Sequence, residues 1–264
     1  MPANQARERV PLTSTGIPRT GFRSALRRLP SAQKSAKGAP AYSRFVNRRA
    51  GGYLAAAAFL VKATPNQVTA VSAVCTFAGI AALFALPPSW PTGIAVSLAL
   101  LVGYALDSAD GQLARLRGTS SVSGEWLDHV IDSAKIATLH MGVLVCAFRF
   151  FELPSAFLLV PIGYGAVETV LFFAMILNDQ LRRVHGAKTG ARPEGRPSTL
   201  RSLLVLPTDY GVLCLSFALL GTGSAFAVCY GLLFVLNAAF LAAALRKWFG
   251  DMRTLDPAPA EQGR

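Results

Sequence analysis

Long uncharged stretches alternate with shorter polar ones along the chain, and the uncharged stretches have the lengths of membrane-crossing helices. A transmembrane helix needs about 20 mostly apolar residues to cross a hydrocarbon core about 30 Å thick. The uncharged run from Tyr210 to Leu245 is too long for one helix, and the turn-forming residues Gly221–Ser224 divide it into two. The pattern therefore predicts six spans. They cover residues 66–86, 92–106 with an extension to 114, 125–148, 153–178, 203–220 and 225–245.

Residues 42–62, ahead of the first span, alternate apolar and basic positions, which predicts an amphipathic helix lying in the membrane interface. The residues before them are rich in Ser, Pro, Gly and Arg, and we expect them to be disordered. The predicted fold class is all-α, a polytopic membrane protein with six transmembrane helices and a preceding interfacial helix. The predicted boundaries are 1–40 for a basic N-terminal tail, 41–248 for the membrane domain and 249–264 for a short C-terminal tail.

Composition supports a membrane protein and argues against two other classes. Charged residues make up 15% of the 264 residues, whereas soluble domains carry about 25%. The hydrophobic content of 52% excludes disorder for most of the chain. It also argues against a nucleic-acid-binding protein, whose basic residues would cover a soluble fold.

The distribution of the positive charge predicts an orientation, because Lys and Arg accumulate in cytoplasmic loops. The net charge is +12. With six spans, the N-terminal region, the loop with Arg115 and Arg117, the loop 179–201 and the C-terminal tail all fall on one side. Arg149 falls on the other side. We therefore expect both termini to be cytoplasmic, in a bacterial-type inner or plasma membrane.

Acidic residues are rare in the predicted spans, and four of them form two pairs. Asp107 and Asp110 end the second span, and Asp128 and Asp132 begin the third. Spacings of three and four residues place both side chains of a pair on one helix face, and a short connection brings the pairs together. Clustered carboxylates repel one another, and Mg²⁺ binds carboxylates together with phosphate oxygens. Two such ions would offset the four charges and could hold a pyrophosphate.

The residues between the two acidic pairs favour a nucleotide ligand. Gly111 and Gly124 leave space for a nucleotide to approach the backbone, and the small side chain of Ala114, one turn beyond Gly111, leaves the same surface open. Arg115 offers forked donors that suit phosphate oxygens. The sequence therefore predicts a site for a diphosphate that carries a small, flat base, and this active site is expected on the cytoplasmic side.

In order along the chain, these residues resemble the signature of the CDP-alcohol phosphotransferase family, also called the CDP-alcohol phosphatidyltransferase family. The signature is D-x2-D-G-x2-A-R-x8-G-x3-D-x3-D, and all eight fixed positions match from Asp107 to Asp132. Pro65, Asn66 and Thr69 also resemble the family's Pro-Asn-x-x-Thr element, which makes Asn66 a donor-binding candidate. The resemblance covers residues 40–248 approximately and leaves out the basic tail.

The resemblance implies transfer of a phospho-alcohol group from a CDP-linked donor to an alcohol acceptor, with release of CMP, in phospholipid biosynthesis at the lipid bilayer. It implies that the four aspartates bind two divalent ions, Mg²⁺ or Mn²⁺, and that Asp132 is the general base. It also implies that Gly111, Ala114, Arg115 and Gly124 bind CDP, and that the protein is a homodimer.

Several choices stay open from the sequence. CDP-diacylglycerol is the first choice of donor. The string Gly124–Ser133, however, resembles the choline/ethanolamine phosphotransferase branch, in which CDP carries the head group and a lipid alcohol is the acceptor. Lys135, one turn beyond Asp132, could bind an acceptor phosphate or pair with Asp132. We expect Glu168 to be paired inside the bundle and His129 to hydrogen-bond a neighbour.

A divalent-cation transporter is the competing class, since acids within membrane helices can mark ion paths. Transport sites tend to lie near the bilayer midplane in proteins with internal repeats. Here the paired acids lie at one end of the predicted spans, and no repeat is visible. The sequence therefore favours an enzyme.

Overall fold

In a computed structural model, which describes residues 21–32, 39–186 and 199–256, the chain is helical and these residues contain no strand. The α-helices are α1 (Phe22–Ala32), α2 (Arg48–Leu60), α3 (Pro65–Ala85), α4 (Trp90–Arg117), α5 (Val122–Phe150), α6 (Leu159–Val184), α7 (Thr199–Leu204), α8 (Tyr210–Ser216) and α9 (Gly223–Arg253). A π-helical turn, Ser43–Asn47, leads into α2. Short 3₁₀ turns cover Ser155–Leu158, Leu206–Thr208 and Phe217–Gly221.

Five of the helices are long and apolar enough to cross a membrane, which confirms the all-α membrane fold. They are α3, α4, α5, α6 with its preceding 3₁₀ turn, and α9. The predicted span 203–220 differs, because Tyr210–Gly221 is a shorter apolar helix that changes from α to 3₁₀ geometry at Phe217. Pro207, which has no N–H to donate, separates it from α7. The count of six spans is thus not confirmed.

Part of the predicted N-terminal tail differs from the expectation of disorder. Phe22–Ala32 forms α1, because Ala25 and Leu29 recur at helical spacing and are buried against α2 and α4. Residues 1–20 and 33–38 of that tail, and 257–264 of the C-terminal tail, lie outside the described residues. At the other end of the domain, α9 continues to Arg253, past the predicted boundary at 248.

The predicted amphipathic helix is formed by the π-helical turn and α2, and it lies against α4. Gly51 and Gly52 are buried on the side facing α4, and a Cβ atom on Gly51 would lie 2.7 Å from Ser108 Oγ. Gln112 Nε2 donates to the carbonyl of Arg48 at 3.1 Å. The small residues therefore let α2 approach the helix that carries Asp107 and Asp110.

α4 is the central helix, since it packs against α1, α2, α3 and α8. Its contact with α3 depends on close approach at Gly103, where Ser72 Oγ donates to the carbonyl oxygen at 2.8 Å. A Cβ atom on Gly103 would collide with Thr76 Oγ1. This packing fixes the position of the C-terminal end of α4 relative to the start of α3.

Asp209 joins two helix starts, a role that the sequence did not indicate. Its Oδ1 accepts from Gly211 N at 3.0 Å and so caps α8. Its Oδ2 accepts from Ser43 N at 2.6 Å, at the start of the turn before α2. Asp209 is 2% exposed, and its hydrogen bond with Gly211 is buried while that with Ser43 is partly buried.

We expect Asp209→Ala to lower the free energy of unfolding by about 2–4 kcal/mol, because one buried and one partly buried backbone amide lose the carboxylate that accepts from them. The loss of stability in Asp209→Asn should be smaller than in Asp209→Ala, because the asparagine amide oxygen can still accept from one of the two backbone N–H groups. Thermal unfolding in detergent measures both effects. Asp179→Ala, at an exposed acid on α6, is the matched control, and equal melting temperatures for Asp209→Ala and this control would contradict the double cap.

Candidate active site

The connection between α4 and α5 is short because both helix ends are capped. Gly118 follows α4 in the left-handed conformation, with φ of 68°, which favours glycine. Ser121 begins α5, and its Oγ accepts from Gly124 N at 3.1 Å. The last turns of α4 and the first turns of α5 therefore lie side by side.

This arrangement brings the four predicted aspartates together. Oxygens of Asp107, Asp110 and Asp128 lie within 4.8 Å of one another, and so do ligand atoms of Asp128, His129 and Asp132. The two groups share Asp128. Four carboxylates, with one histidine beside them, fit divalent cations, which accept several oxygen ligands.

Lys135 contacts the two aspartates of the cluster that are farthest from the connection between α4 and α5, Asp107 and Asp132. Its Nζ is 2.6 Å from Asp132 Oδ1 and 2.9 Å from Asp107 Oδ1, and its side chain is buried. Of the two roles that the sequence left open for Lys135, pairing with Asp132 is the one seen, and Asp107 is a second partner. Lys135 offsets one of the four negative charges and links α4 to α5.

Thr69, on the second turn of α3, holds Asp110 from the other side. Its Oγ1 donates to Asp110 Oδ2 and lies 3.1 Å from the Pro65 carbonyl oxygen. Both residues are buried. The helix start is fixed by Thr64, whose Oγ1 accepts from Gln67 N while Gln67 Oε1 accepts from Thr64 N. The Pro-Asn-x-x-Thr element thus supplies a hydrogen bond to the acidic cluster.

A cleft of about 630 Å³ opens beside the cluster, between the starts of α3 and α5 and the end of α4. All five residues predicted to bind CDP line it, together with two of the aspartates: Asn66, Gly111, Ala114, Arg115, Gly124, Asp110 and Asp128. The lining also includes Pro65 and Thr69 of the Pro-Asn-x-x-Thr element, His129, and residues for which the sequence indicated no place in the site: Thr64, Arg117, Thr119, Ser120, Ser121, Glu125 and Arg183. Asp107 and Asp132 are not among the lining residues.

The two motif glycines keep the cleft open. A Cβ atom on Gly124 would lie 3.1 Å from Ser121 Oγ and 3.6 Å from Asn66 Oδ1. A Cβ atom on Gly111 would lie 3.2 Å from Arg115 Nη1. A larger side chain at either position would therefore fill part of the cleft.

Charged side chains from two helices meet at the rim of the cleft. Arg183 Nη1, at the end of α6, donates to Glu125 Oε1 at 2.9 Å. His129 Nε2 lies 4.0 Å from the same oxygen, too far for a hydrogen bond, and its Nδ1 has no hydrogen-bond partner among the described residues. The hydrogen bond expected for His129 is thus not formed, and its ring instead meets the edge of Phe172.

Glu168 lies beside His140 inside the bundle, but His140 Nε2 has no hydrogen-bond partner among the described residues, so the expected pairing of Glu168 stays a prediction. Its Oε2 lies 3.3 Å from His140 Nε2, and His140 Nδ1 lies 2.5 Å from the hydroxyl of Tyr230. These contacts connect α5, α6 and α9. They lie about two helical turns along α5 from Asp132, so they belong to the core of the bundle.

We expect Thr69→Val to reduce turnover by about 10- to 100-fold, because the group that orients Asp110 is lost. Thr69→Ser keeps the hydroxyl and should restore most of the rate. The Mg²⁺ concentration needed for half-maximal rate should rise for Thr69→Val. Thr138→Val is the matched control, since Thr138 Oγ1 donates to Ala134 O in its own helix. Equal behaviour of Thr69→Val and Thr138→Val would refute the positioning role.

Helices long enough to cross a membrane, a carboxylate cluster at the ends of two of them and an adjoining cleft with arginines are features expected of an integral membrane enzyme that acts on a phosphorylated substrate. The sequence model of the family described as CDP-alcohol phosphatidyltransferase matches residues 62–244. The chain therefore belongs to the CDP-alcohol phosphatidyltransferase family. This membership agrees with the enzyme that the sequence favoured and not with a cation transporter.

Among solved structures, the chain is similar to that of Mycobacterium tuberculosis phosphatidylinositol phosphate synthase with CDP-DAG bound. The two share 21% sequence identity with a TM-score of 0.47, over 83% of this chain and 98% of that chain. No curated protein matches the sequence significantly.

Proposed function

We propose that the protein transfers a phosphatidyl group from CDP-diacylglycerol to the hydroxyl of an alcohol acceptor and releases CMP, as a step of phospholipid synthesis. The observation that carries the proposal is the single cleft in which all five CDP-binding candidates meet Asp110 and Asp128. Family membership supports a CDP-linked donor.

The chain's own residues suggest how the donor is held. The cytidine is placed over the wall of the cleft that Asn66 and Gly124 form together at the starts of α3 and α5, where a side chain on Gly124 would intrude. The diphosphate lies along the end of α4, where Gly111 leaves room and Arg115 supplies donors for its oxygens. The β-phosphate is then next to Asp110 and Asp128.

The four aspartates fit a pair of divalent ions, Mg²⁺ or Mn²⁺, because their oxygens converge and they are hard ligands. Asp107, Asp110, Asp128 and Asp132 would hold them. Bound ions supply charge neutralisation for the diphosphate and for the leaving CMP.

Asp132 is the proposed general base. The acceptor oxygen attacks the β-phosphorus, the bond from that phosphorus to the CMP oxygen breaks, and the hydroxyl proton passes to the Asp132 carboxylate. Lys135 holds Asp132 Oδ1 at 2.6 Å and so fixes the carboxylate for this transfer. An acceptor phosphate could reach Lys135 only in competition with Asp132 and Asp107, so a positioning role is the better supported one.

We place both termini and the active site on the cytoplasmic side of a bacterial-type inner or plasma membrane, supported by the distribution of Lys and Arg. This topology requires residues 199–221 to complete a sixth crossing. A homodimer is proposed from the family resemblance alone.

A CDP-head-group donor with a lipid alcohol acceptor is the second candidate. It is favoured by the string Gly124–Ser133, in which Glu125 and His129 stand one turn apart on the rim of the cleft. That string resembles the choline/ethanolamine phosphotransferase branch.

CMP release by the purified full-length protein tests both candidates. With CDP-diacylglycerol, we expect release to require an alcohol acceptor, to stop when a chelator removes divalent ions, and to return with Mg²⁺ or Mn²⁺. Inositol phosphate, glycerol phosphate and serine form the acceptor panel. Release from CDP-choline with diacylglycerol, and not from CDP-diacylglycerol, would establish the second candidate. Release from neither donor under any of these conditions would contradict the proposed function.

A further inference from the structure

The helices that precede the first span carry positive charge without acidic neighbours in sequence. No Asp or Glu occurs between Glu8 and Asp107. The described residues from 21 to 62 include seven basic side chains: Arg23, Arg27, Arg28, Arg44, Arg48, Arg49 and Lys62. Three of them interact within the protein: Arg28 Nη2 donates to Leu116 O at 3.2 Å, Arg44 Nη1 donates to Ser202 Oγ at 3.2 Å, and Arg48 also has a partner there. Arg28 and Arg44 have the two hydrogen bonds whose partners are identified.

Arg23 and Arg27 differ from these two. They lie one turn apart on the exposed face of α1, opposite the buried Ala25 and Leu29. Like charges at this spacing destabilise a helix. Neither arginine has an acidic partner among the residues that the structure describes. An anion bound between the two guanidinium groups would remove this repulsion, so their arrangement favours an anionic ligand.

The neighbouring segment of the π-helical turn and α2 has the outer face of a helix at a membrane surface. Phe45, Arg49 and Tyr53 follow one another at intervals of one turn, and all three are exposed. Aromatic rings and arginines whose heads reach the interface are typical of helices at the headgroup level.

Both helices are fixed at the level of the donor cleft. Ala25 and Leu29 of α1 share one apolar cluster with Ala55 of α2 and with Leu113 and Leu116 of α4. Leu116 directly follows Arg115, which lines the cleft. The diphosphate of a membrane-embedded donor lies among the lipid headgroups, so Arg23 and Arg27 are at headgroup level too.

We propose that Arg23 and Arg27 on α1, beside the exposed aromatic face of α2, form a docking surface for the phosphate groups of anionic phospholipids in the surrounding leaflet. Guanidinium groups bind phosphate oxygens through paired hydrogen bonds, and each basic residue near an anionic lipid surface adds to the affinity. The surface is separate from the donor cleft. It rests on the proposed function only in placing the cleft at headgroup level.

Lipid retention by the purified full-length protein tests this surface. The protein in neutral detergent is titrated with phosphatidylglycerol or phosphatidylcholine, and native mass spectrometry counts the bound lipids. We expect phosphatidylglycerol to bind about tenfold or more tightly than phosphatidylcholine, from the gain expected for two arginines. Arg23→Gln/Arg27→Gln should remove this preference. The matched control Arg246→Gln/Lys247→Gln removes the same charge from exposed positions on α9 and should keep it.

Three outcomes would overturn the proposal: equal binding of the two lipids by the unaltered protein, an unchanged preference in the α1 variant, or an equal loss in the control. Displacement of phosphatidylglycerol by millimolar inorganic phosphate would also overturn it, because the site would then bind soluble anions. CMP release in neutral detergent should be unchanged in the α1 variant. Failure of the docking surface is thus distinguishable from failure of the proposed reaction, and melting temperatures show that each variant is folded.

Discussion

Asp132→Asn is expected to abolish CMP release, with turnover reduced by about 10³-fold or more. The amide cannot take the proton of the acceptor hydroxyl, and it is a poorer ligand for a cation than the carboxylate. The fold should be retained, because Lys135 keeps its contact with Asp107 Oδ1 at 2.9 Å. Donor binding should also be retained, since Asp132 does not line the cleft. Initial rates of CMP release and equilibrium binding of a CDP-lipid measure the two properties separately.

The matched control for this substitution is Asp179→Asn, which removes one negative charge at an exposed position on α6. It should release CMP at the rate of the unaltered protein. Turnover by Asp132→Asn within a few fold of this control would refute the base assignment. Loss of donor binding together with turnover would instead show that Asp132 contributes to holding the donor, as a ligand of the divalent ions.

Gly124→Val, in contrast to Asp132→Asn, should weaken donor binding, because it blocks the cleft and leaves the four carboxylates in place. Its Cβ atom would lie 3.1 Å from Ser121 Oγ and 3.6 Å from Asn66 Oδ1. The two additional methyl groups then occupy the space assigned to the cytidine. We expect donor affinity to fall by at least about tenfold, which is about 1.4 kcal/mol, with a corresponding rise in KM.

Gly231→Val provides the control, since it makes the same change within a helix. Gly231 is on α9, and a Cβ atom there meets no other atom within 4 Å. This variant should bind the donor normally. Donor affinity in Gly124→Val equal to that in Gly231→Val would show that the cytidine lies elsewhere.

The acidic cluster could be predicted from sequence because every relation that builds it is local. Asp107 and Asp110 share a helix, as do Asp128 and Asp132, and the caps at Gly118 and Ser121 keep the connection short. Helical spacing and a short loop are sufficient to predict that these side chains meet. The same logic predicted that Gly111 and Gly124 would face one space.

The contacts that the sequence could not indicate join distant parts of the chain. Thr69 meets Asp110 only because α3 packs against α4 at Gly103, and Asp209 meets Ser43 only because α8 lies beside the start of α2. Neither contact produces a periodic pattern in the sequence from which it could be predicted.

The structure differs from the predicted secondary structure at residues 203–220 and in α1. Both differences arise from local features that average hydropathy does not detect. Residues 203–220 are apolar enough for a span, but Pro207 and the cap at Asp209 divide them. In α1, Arg23 and Arg27 are on the exposed face and Ala25 and Leu29 on the buried one, while Arg28 donates to the Leu116 carbonyl oxygen of α4. Hydropathy averaged over a window cannot distinguish a divided segment from a continuous one.

The lengths of α4 and α5 have a consequence for the membrane itself. They contain 28 and 29 residues, so each is about 42–44 Å long at 1.5 Å per residue, compared with about 30 Å for a hydrocarbon core. Asp110 and Asp128 lie within this excess of about 12–14 Å at one end of the two helices, and Asp107 and Asp132, about 15 Å from the helix ends, lie at its inner limit. A thicker bilayer would therefore immerse all four together without changing the distances among them. The hydrophobic thickness of the host membrane thus sets how deep the four carboxylates lie, independently of the distances among them.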